Sequence, residues 1–101
     1  MPRITFVSRM TIKDGKEAEF VRACRELEAE VAKNEDPRKT LWFGFFRLRD
    51  GARRYCVVES FADEAAEHEH MASPWLAQRI QTFVDCVDGT WEREYFDPLP
   101  G

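Results

Sequence analysis

The chain has 101 residues, enough for one domain with one hydrophobic core spanning residues 1–101. Apolar residues make up 44% of it and charged residues 34%, which excludes a disordered or fibrous protein. The net charge of −4 and the lack of a long apolar run predict a cytoplasmic protein that binds neither nucleic acid nor membrane.

The first two predicted elements are a strand and a long helix. Alternating apolar residues predict the strand over residues 4–12. Asp14, with Glu17 three residues later, predicts a capped helix start. Apolar side chains at helical spacing extend that helix over about residues 15–34, before a polar loop that contains Pro37; they are Phe20, Cys24, Leu27 and Val31.

A hairpin and a broken helix follow. Residues 40–49 and 54–61 are predicted strands, because the turn signal Asp50-Gly51 separates them. A short helix capped by Asp63 runs to about residue 71, and a break at Ser73-Pro74 starts another helix that ends near Asp88-Gly89. The last strand covers residues 90–96. The order β-α-β-β-α-β is typical of an α+β, ferredoxin-like split βαβ fold.

The second strand is apolar on both of its faces. One alternation carries Leu41, Phe43 and Phe45, and the other carries Trp42, Phe46 and Leu48. Helices cover only one face of such a sheet, and exposing a large apolar side chain forgoes roughly 1.5–3 kcal/mol. We therefore expect a homodimer through the other sheet face, with a monomer that exposes a few aromatics as the alternative.

The sequence resembles the antibiotic biosynthesis monooxygenase (ABM) domain family over about residues 4–96. The resemblance rests on Gly15-Lys16-Glu17, the aromatic second strand, Val57-Val58-Glu59-Ser60-Phe61 and His70-Met71-Ala72-Ser73-Pro74-Trp75. It implies a subunit with an antiparallel four-stranded sheet in a dimeric α+β barrel. Several members of the family oxidise phenols or quinols with O2 and no metal or flavin, others degrade haem, and many have no assigned activity.

The haem-degrading members of that family offer a poor match. They carry an asparagine, a tryptophan and a histidine iron ligand at positions that correspond here to Ser8, His70 and near Ile80. Isoleucine has no donor atom for iron. We therefore expect no haem.

Two residues are candidates for catalysis. His70 could accept a phenolic proton, because imidazole titrates near neutral pH. Ser8 is the polar interruption of an apolar strand face and could hydrogen-bond a substrate oxygen. The alternatives are that His70 caps its helix or bonds a backbone carbonyl, and that Ser8 bonds a neighbouring strand or water.

An aromatic ring would bind in an apolar slot. The predicted substrate-binding residues are Phe6, Met10, Trp42, Phe45, Trp75 and Phe83. Core packing is the alternative role for Trp75. Glu59 is expected to pair with Arg9 or Arg93 across the sheet, and a catalytic base with a raised pKa is the alternative for it.

Neither a metal nor a cofactor is expected. Cys24, Cys56 and Cys86 are an odd number without close spacing, so we predict reduced cysteines. His68 and His70 are two residues apart, whereas zinc ligands on one helix need a spacing of three or four. His68 is expected to be solvated, as is the arginine cluster Arg47, Arg49, Arg53 and Arg54 around the hairpin turn.

Two classes of function stay open at this point. The first is a cofactor-independent monooxygenase that oxidises a quinol-like or polycyclic phenolic small molecule. The second is a non-catalytic dimer of the same fold that binds a small molecule or is purely structural. An enclosed pocket between the helices and the sheet, with His70 or Ser8 at its wall, would favour the enzyme. A space filled by Phe6, Met10 and Phe83 would favour the second class.

Overall fold

A computed structural model describes residues 3–100. Its elements in chain order are β1 (Ile4–Ile12), α1 (Glu17–Asn34), β2 (Thr40–Arg47), β3 (Arg54–Phe61), α2 (Glu64–Met71), α3 (Pro74–Ala77), α4 (Ile80–Cys86) and β4 (Val87–Phe96). The strands form one antiparallel sheet in the order β2-β3-β1-β4. The predicted α+β fold with a four-stranded antiparallel sheet is confirmed.

The core lies between one face of the sheet and the helices. Alternation along β1 turns Phe6, Met10 and Ile12 towards the helices, and each is at most 2% exposed. The predicted stripe of α1 packs against that face: Phe20, Cys24, Leu27 and Val31 are all buried. Each large side chain buried in this way contributes roughly 1.5–3 kcal/mol to folding.

The predicted cap of α1 is wrong. Lys16 occupies the N-cap position without a side-chain hydrogen bond, so Asp14 does not cap the helix. The reason is a turn in which the Lys16 N–H donates to the Lys13 carbonyl at 3.0 Å, with Gly15 at a φ of +82°. Glu17 instead accepts a hydrogen bond from the Tyr55 hydroxyl at 3.1 Å.

The break at Ser73-Pro74 is confirmed, but a second break follows it. The Ser73 hydroxyl accepts a hydrogen bond from the Leu76 N–H at 3.3 Å, with Pro74 in the first turn of α3. Gln78 and Arg79 then separate α3 from α4, so the single helix predicted here is two. β4 begins at Val87 rather than at Thr90, because Val87 already pairs with Ile12 of β1.

The aromatic side chains of β2 lie on both faces of the sheet. Phe45 turns towards the helices, where its ring meets those of Phe20 and Phe83 at 6.1 and 5.9 Å. Trp42 and Phe46 lie on the opposite face and are 55% and 48% exposed. The strand ends at Arg47, two residues earlier than predicted.

The structure also shows the state of the cysteines and whether any described helix could span a membrane. Cys24, Cys56 and Cys86 are free, and Cys24 and Cys86 are buried as small apolar side chains. In the part of the chain that the structure describes, no helix has the length and apolar character needed to cross a membrane.

The two aspartates predicted as caps give a paired test. Asp63 accepts a hydrogen bond from the Ala66 N–H at 2.8 Å, so Asp63→Ala should lower the free energy of unfolding by about 1 kcal/mol. Asp14→Ala removes no cap and should change it by less than about 0.5 kcal/mol. Urea unfolding measures both. Equal losses would contradict the assignment of the caps.

Candidate functional site

A buried histidine lies between two buried carboxyl groups. His70, in the last turn of α2, has a side chain that is 2% exposed. Its Nδ1 lies 2.7 Å from Glu35 Oε2, and its Nε2 lies 3.4 Å from Glu59 Oε1. The side chains of Glu35 and Glu59 are 8% and 6% exposed. The cluster is an acid–imidazole–acid arrangement, which we call the Glu35–His70–Glu59 triad.

Three parts of the fold bring the triad together. Glu35 is the residue that ends α1, and Glu59 shares the inner face of β3 with Val57 and Phe61. His70 is buried on the side of α2 that faces the sheet. The rings of Phe43 and Phe61 lie 5.0 and 5.2 Å from the imidazole and hold it in place.

Glu35 is held as a carboxylate. Burial alone would raise its pKa, but hydrogen bonds from His70, from the Thr40 hydroxyl and from Trp75 Nε1 lower it below its usual value. The Trp75 bond is 2.7 Å long. Because an ionised carboxylate only accepts hydrogen bonds, His70 Nδ1 carries the hydrogen and Nε2 is left facing Glu59.

The pKa of Glu59 is shifted in the opposite direction to that of Glu35. Burial raises the pKa of its carboxyl group to about 7, against the opposing attraction of His70 and Arg93. The nearby carboxylates of Glu67 and Glu35 also raise it. Its Oε1 is buried without a hydrogen-bond partner. Two acids with pKa values shifted in opposite directions flank one imidazole, a pattern typical of acid–base sites.

The predicted ion pair between Glu59 and an arginine is wrong. Arg9 pairs with Glu94 at 2.9 Å. The Arg93 Nε donates to the Ser8 hydroxyl at 3.1 Å, and its guanidinium lies 4.2 Å from the centre of the Phe6 ring. Glu59 contacts His70 instead, which agrees with the alternative of an acid with a raised pKa.

A cavity of about 170 Å³ lies between the helices and the sheet; we call it the inner cavity. Its polar wall consists of Glu59, His70 and Arg93. The rest of its lining is apolar and comes from α1, β2, β3, the three later helices and β4: Leu27, Phe43, Phe45, Val57, Met71, Leu76, Ile80, Phe83, Val84 and Trp91. This combination of apolar walls and a few convergent polar groups is the usual form of a small-molecule site.

A second concavity, the outer depression, lies on the other side of His70. Its volume is about 420 Å³, and Glu35, His70 and Trp75 form its floor together with more polar residues such as Lys39 and Glu69. Lys39 and Glu69 form an exposed ion pair there at 3.1 Å. The triad therefore separates an apolar cavity from a depression in which most of the lining residues are polar.

The predicted site residues divide into those that line the inner cavity and those that do not. His70, Phe45 and Phe83 are in its wall. Trp75 lies in the outer depression, where it bonds Glu35. Trp42 is on the opposite face of the sheet, so it does not reach the cavity.

Three predicted residues are buried and do not line the cavity. Ser8 is fully buried and positions Arg93 through its hydroxyl. Phe6 packs under the same guanidinium, and Met10 belongs to the core. Ile80, the position compared above with an iron ligand, lines the cavity with a side chain that has no donor atom.

Sequence reasoning missed the role of Glu35. It lies in a polar loop after α1, and its spacing from His70 follows no motif. Only the folding of that loop beneath α2 and α3 brings the carboxylate to the imidazole. The role of Arg93 as a cavity residue was also missed, although Arg93 was considered as a partner of Glu59.

A model of the antibiotic biosynthesis monooxygenase family matches residues 3–80 of the chain. No curated protein matches this chain. The matched range ends at the first residue of α4, so it includes all three members of the triad but not Arg93.

Solved structures share the fold at low sequence identity. A candidate antibiotic biosynthesis monooxygenase from Caulobacter crescentus has a TM-score of 0.90 and 23% identity, over 98% of this chain and 92% of that chain. Protein SO0527 from Shewanella oneidensis has a TM-score of 0.83 and 23% identity, over 96% and 91% of the two chains. SnoaB from Streptomyces nogalater, a cofactor-independent oxygenase, has a TM-score of 0.78 and 21% identity, over 100% and 97%.

The raised pKa of Glu59 makes stability depend on pH. Between its ordinary value of 4.5 and about 7, the unfolded chain loses the Glu59 proton while the folded protein keeps it. Folding stability therefore falls across this window, by up to roughly 3 kcal/mol from this one group. In Glu59→Gln the fall is absent, so the variant should gain stability relative to the wild type as the pH rises.

Urea unfolding at a series of pH values measures this difference. Glu69→Gln is the matched control, because Glu69 is exposed on α2 and should show no such trend. A difference between Glu59→Gln and wild type that does not grow with pH would contradict a raised pKa for Glu59.

Proposed function

The chain belongs to the antibiotic biosynthesis monooxygenase family, and we propose that it is a cytoplasmic monooxygenase that oxidises a phenolic or quinol-like molecule with O2 and no cofactor. The observation that carries the proposal is the buried Glu59 carboxyl, next to His70, at the wall of an apolar cavity. The fold shared with SnoaB, itself a cofactor-independent oxygenase, is compatible with this activity.

The volume of the inner cavity favours a small substrate. An engineered protein cavity of about 150 Å³ is known to hold one benzene ring. The inner cavity, at about 170 Å³, is of similar size. Of the quinol-like and polycyclic compounds considered above, we therefore favour the single-ring ones, since a polycycle would have to leave its other rings outside the cavity.

The first chemical step is removal of the phenolic proton. Glu59 is the acceptor, because its pKa of about 7 lets it be ionised and yet bind a proton near neutral pH. The positive charge of Arg93 at the same wall stabilises the phenolate oxygen. A ring bound against the apolar lining displaces water from it, which leaves the anion electron-rich.

Oxygen then reacts with a ring carbon of the anion. A carbon–oxygen bond forms to give a peroxide. Loss of the hydrogen on that carbon as a proton and cleavage of the O–O bond leave one oxygen atom as a carbonyl and release the other as water. All four electrons that reduce O2 come from the substrate, so the step needs no external reductant.

The alternative is a non-catalytic binding protein of the same fold. Phe6 and Met10 do not line the inner cavity, whereas His70 and Phe83 are in its wall, which favours the enzyme. The cavity is open to solvent beside the exposed side chains of Ile80 and Val84, so it is not the enclosed pocket expected of the enzyme. Of the two candidate catalytic residues, we propose that His70 takes part in proton transfer together with Glu59. We now propose that Ser8 acts through Arg93 rather than on the substrate.

Oxygen consumption tests the proposed activity. Chelator-treated protein should consume O2 with a single-ring hydroquinone faster than with a polycyclic anthrone, after subtraction of autoxidation. Glu59→Gln should lower kcat about 100-fold or more, and His70→Gln should lower it as well. The wild-type rate should rise with pH and level off above about 7, as Glu59 ionises.

His68→Gln is the control for His70→Gln, because His68 is on the same helix with a side chain that is 70% exposed. It should retain the wild-type rate. Uptake no faster than the blank with every compound would leave the non-catalytic binding protein as the better description.

We also propose that a second copy of the chain covers the open face of the sheet. Trp42 and Phe46 project from it on β2, and Phe96 projects from it on β4 at 43% exposure. Val58 and Val7 lie on the same face of the central strands, together with the hydrogen-bonded pair Thr5 and Ser60 and the ion pair of Arg9 and Glu94. Several large exposed apolar side chains on one face of a two-layer domain are typical of an isologous dimer.

Substitution of Trp42 tests this assembly. Trp42→Asp places a charge in the proposed interface and should convert a dimer into a monomer, as measured by light scattering after gel filtration. Val84→Asp, on α4 and 57% exposed, is the matched control and should remain dimeric. A wild-type monomer would contradict the proposal.

A further inference from the structure

We infer that Glu35, through His70, lets the site store the proton taken from the substrate until the departing oxygen needs it. The inference rests on the proposed function, because it concerns the fate of the proton that the inner cavity removes. Glu35 is then a positioning residue: it lines the outer depression and does not touch the substrate.

The proton balance of the reaction gives such a store a use. Conversion of a phenol and O2 into a quinone and water removes two protons from the substrate, one from oxygen and one from carbon. Both protons end in the water molecule that leaves. A proton kept in the site from the moment the phenolate forms until the O–O bond breaks is at hand for that step. A site that lost it to the solvent would have to take up another one.

The triad has the geometry for this storage. Glu59 lines only the inner cavity, Glu35 lines only the outer depression, and His70 lines both. The 3.4 Å separation of Glu59 Oε1 and His70 Nε2 is not a hydrogen bond in this structure, so a proton that reaches Glu59 can pass to His70 once this contact shortens to one. The imidazolium so formed keeps its Nδ1 hydrogen on the Glu35 carboxylate, 2.7 Å away. Return along the same contact delivers the proton to the leaving oxygen.

Glu35 is suited to remain the charged partner rather than to take the proton. Both of its oxygens already accept hydrogen bonds, one from Thr40 and the other from Trp75 and His70. These bonds lower its pKa, as described above. The proton therefore stays on His70 or Glu59, on the side of the triad that faces the inner cavity.

The other charges around the triad act on Glu59 in opposite directions or pair with each other away from it. Arg93 of β4 favours ionised Glu59, whereas Glu67 of α2 and Glu35 itself oppose it. Lys39, after α1, and Glu69 of α2 pair with each other at the rim of the outer depression. Removing the charge of Glu35 should therefore reduce the capacity of His70 to hold a proton.

Anaerobic binding of 4-cyanophenol tests the inference separately from oxygen chemistry. Its anion absorbs at longer wavelength than its neutral form, so the spectrum reports whether the bound phenol has lost its proton. At a pH just above the pKa of Glu59, the wild type should bind it as the anion. In Glu35→Gln the ionised fraction should fall at least about fivefold.

Glu69→Gln is the matched control, since it makes the same chemical change in the same depression at a carboxylate that pairs with Lys39 and not with the His70 imidazole. It should bind the anion as the wild type does. With a hydroquinone and O2, Glu35→Gln should lower kcat at least about tenfold with little change in KM, and Glu35→Asp, which keeps the charge, should recover part of the loss.

Calorimetry on the wild type completes the test, including the case in which Glu35→Gln does not fold. If the proton is stored, the enthalpy of 4-cyanophenol binding should be the same in buffers of different ionisation enthalpy. Release of a proton to the buffer would overturn the inference, and so would full ionisation in Glu35→Gln. Either result leaves the proposed function intact, whereas failure of the wild type to bind any phenol would overturn both.

Discussion

Burial of two carboxyl groups around one imidazole is the constraint on which the rest of this site depends. A buried charge costs several kcal/mol unless it is paired, and here the pairing is unequal. Glu35 accepts three hydrogen bonds, whereas Glu59 has one oxygen without a partner. The fold supplies hydrogen-bond donors to the Glu35 carboxylate and leaves an oxygen of Glu59 free to bind a proton.

This arrangement requires α2 to be short and fixed at both ends. Asp63 begins it, and the Ser73-Pro74 break ends it soon after His70. The chain that follows the break then places Trp75 on Glu35. A longer, continuous helix would carry the chain past this point, and the second hydrogen bond to Glu35 Oε2 would be lost. The helix break is therefore as much a part of the site as the titratable groups.

The layered fold gives the two faces of the sheet different roles. The inner face carries the core and the inner cavity, which is bounded by aromatic rings from β2 and α4. The outer face carries Trp42 and Phe46 without any cover from the helices. Because alternate residues of β2 serve the two faces, one strand supports both substrate binding and assembly in our proposal.

The sequence by itself determined the order of the elements, the Asp63 and Ser73 caps and the family resemblance, because these depend on local patterns of apolar and capping residues. It also identified His70 as a candidate, because the helix break that follows it is marked by the local pattern Ser73-Pro74. It misplaced the start of α1, because the turn at Gly15 competes with the apparent cap at Asp14. Only the tertiary structure decided that Glu35 and Glu59 meet at His70, since residues 35, 59 and 70 come from three separate elements and share no spacing rule. Whether Glu59 paired with an arginine or stood beside a histidine depended on the packing of α2 over the sheet, a long-range contact that no local pattern encodes.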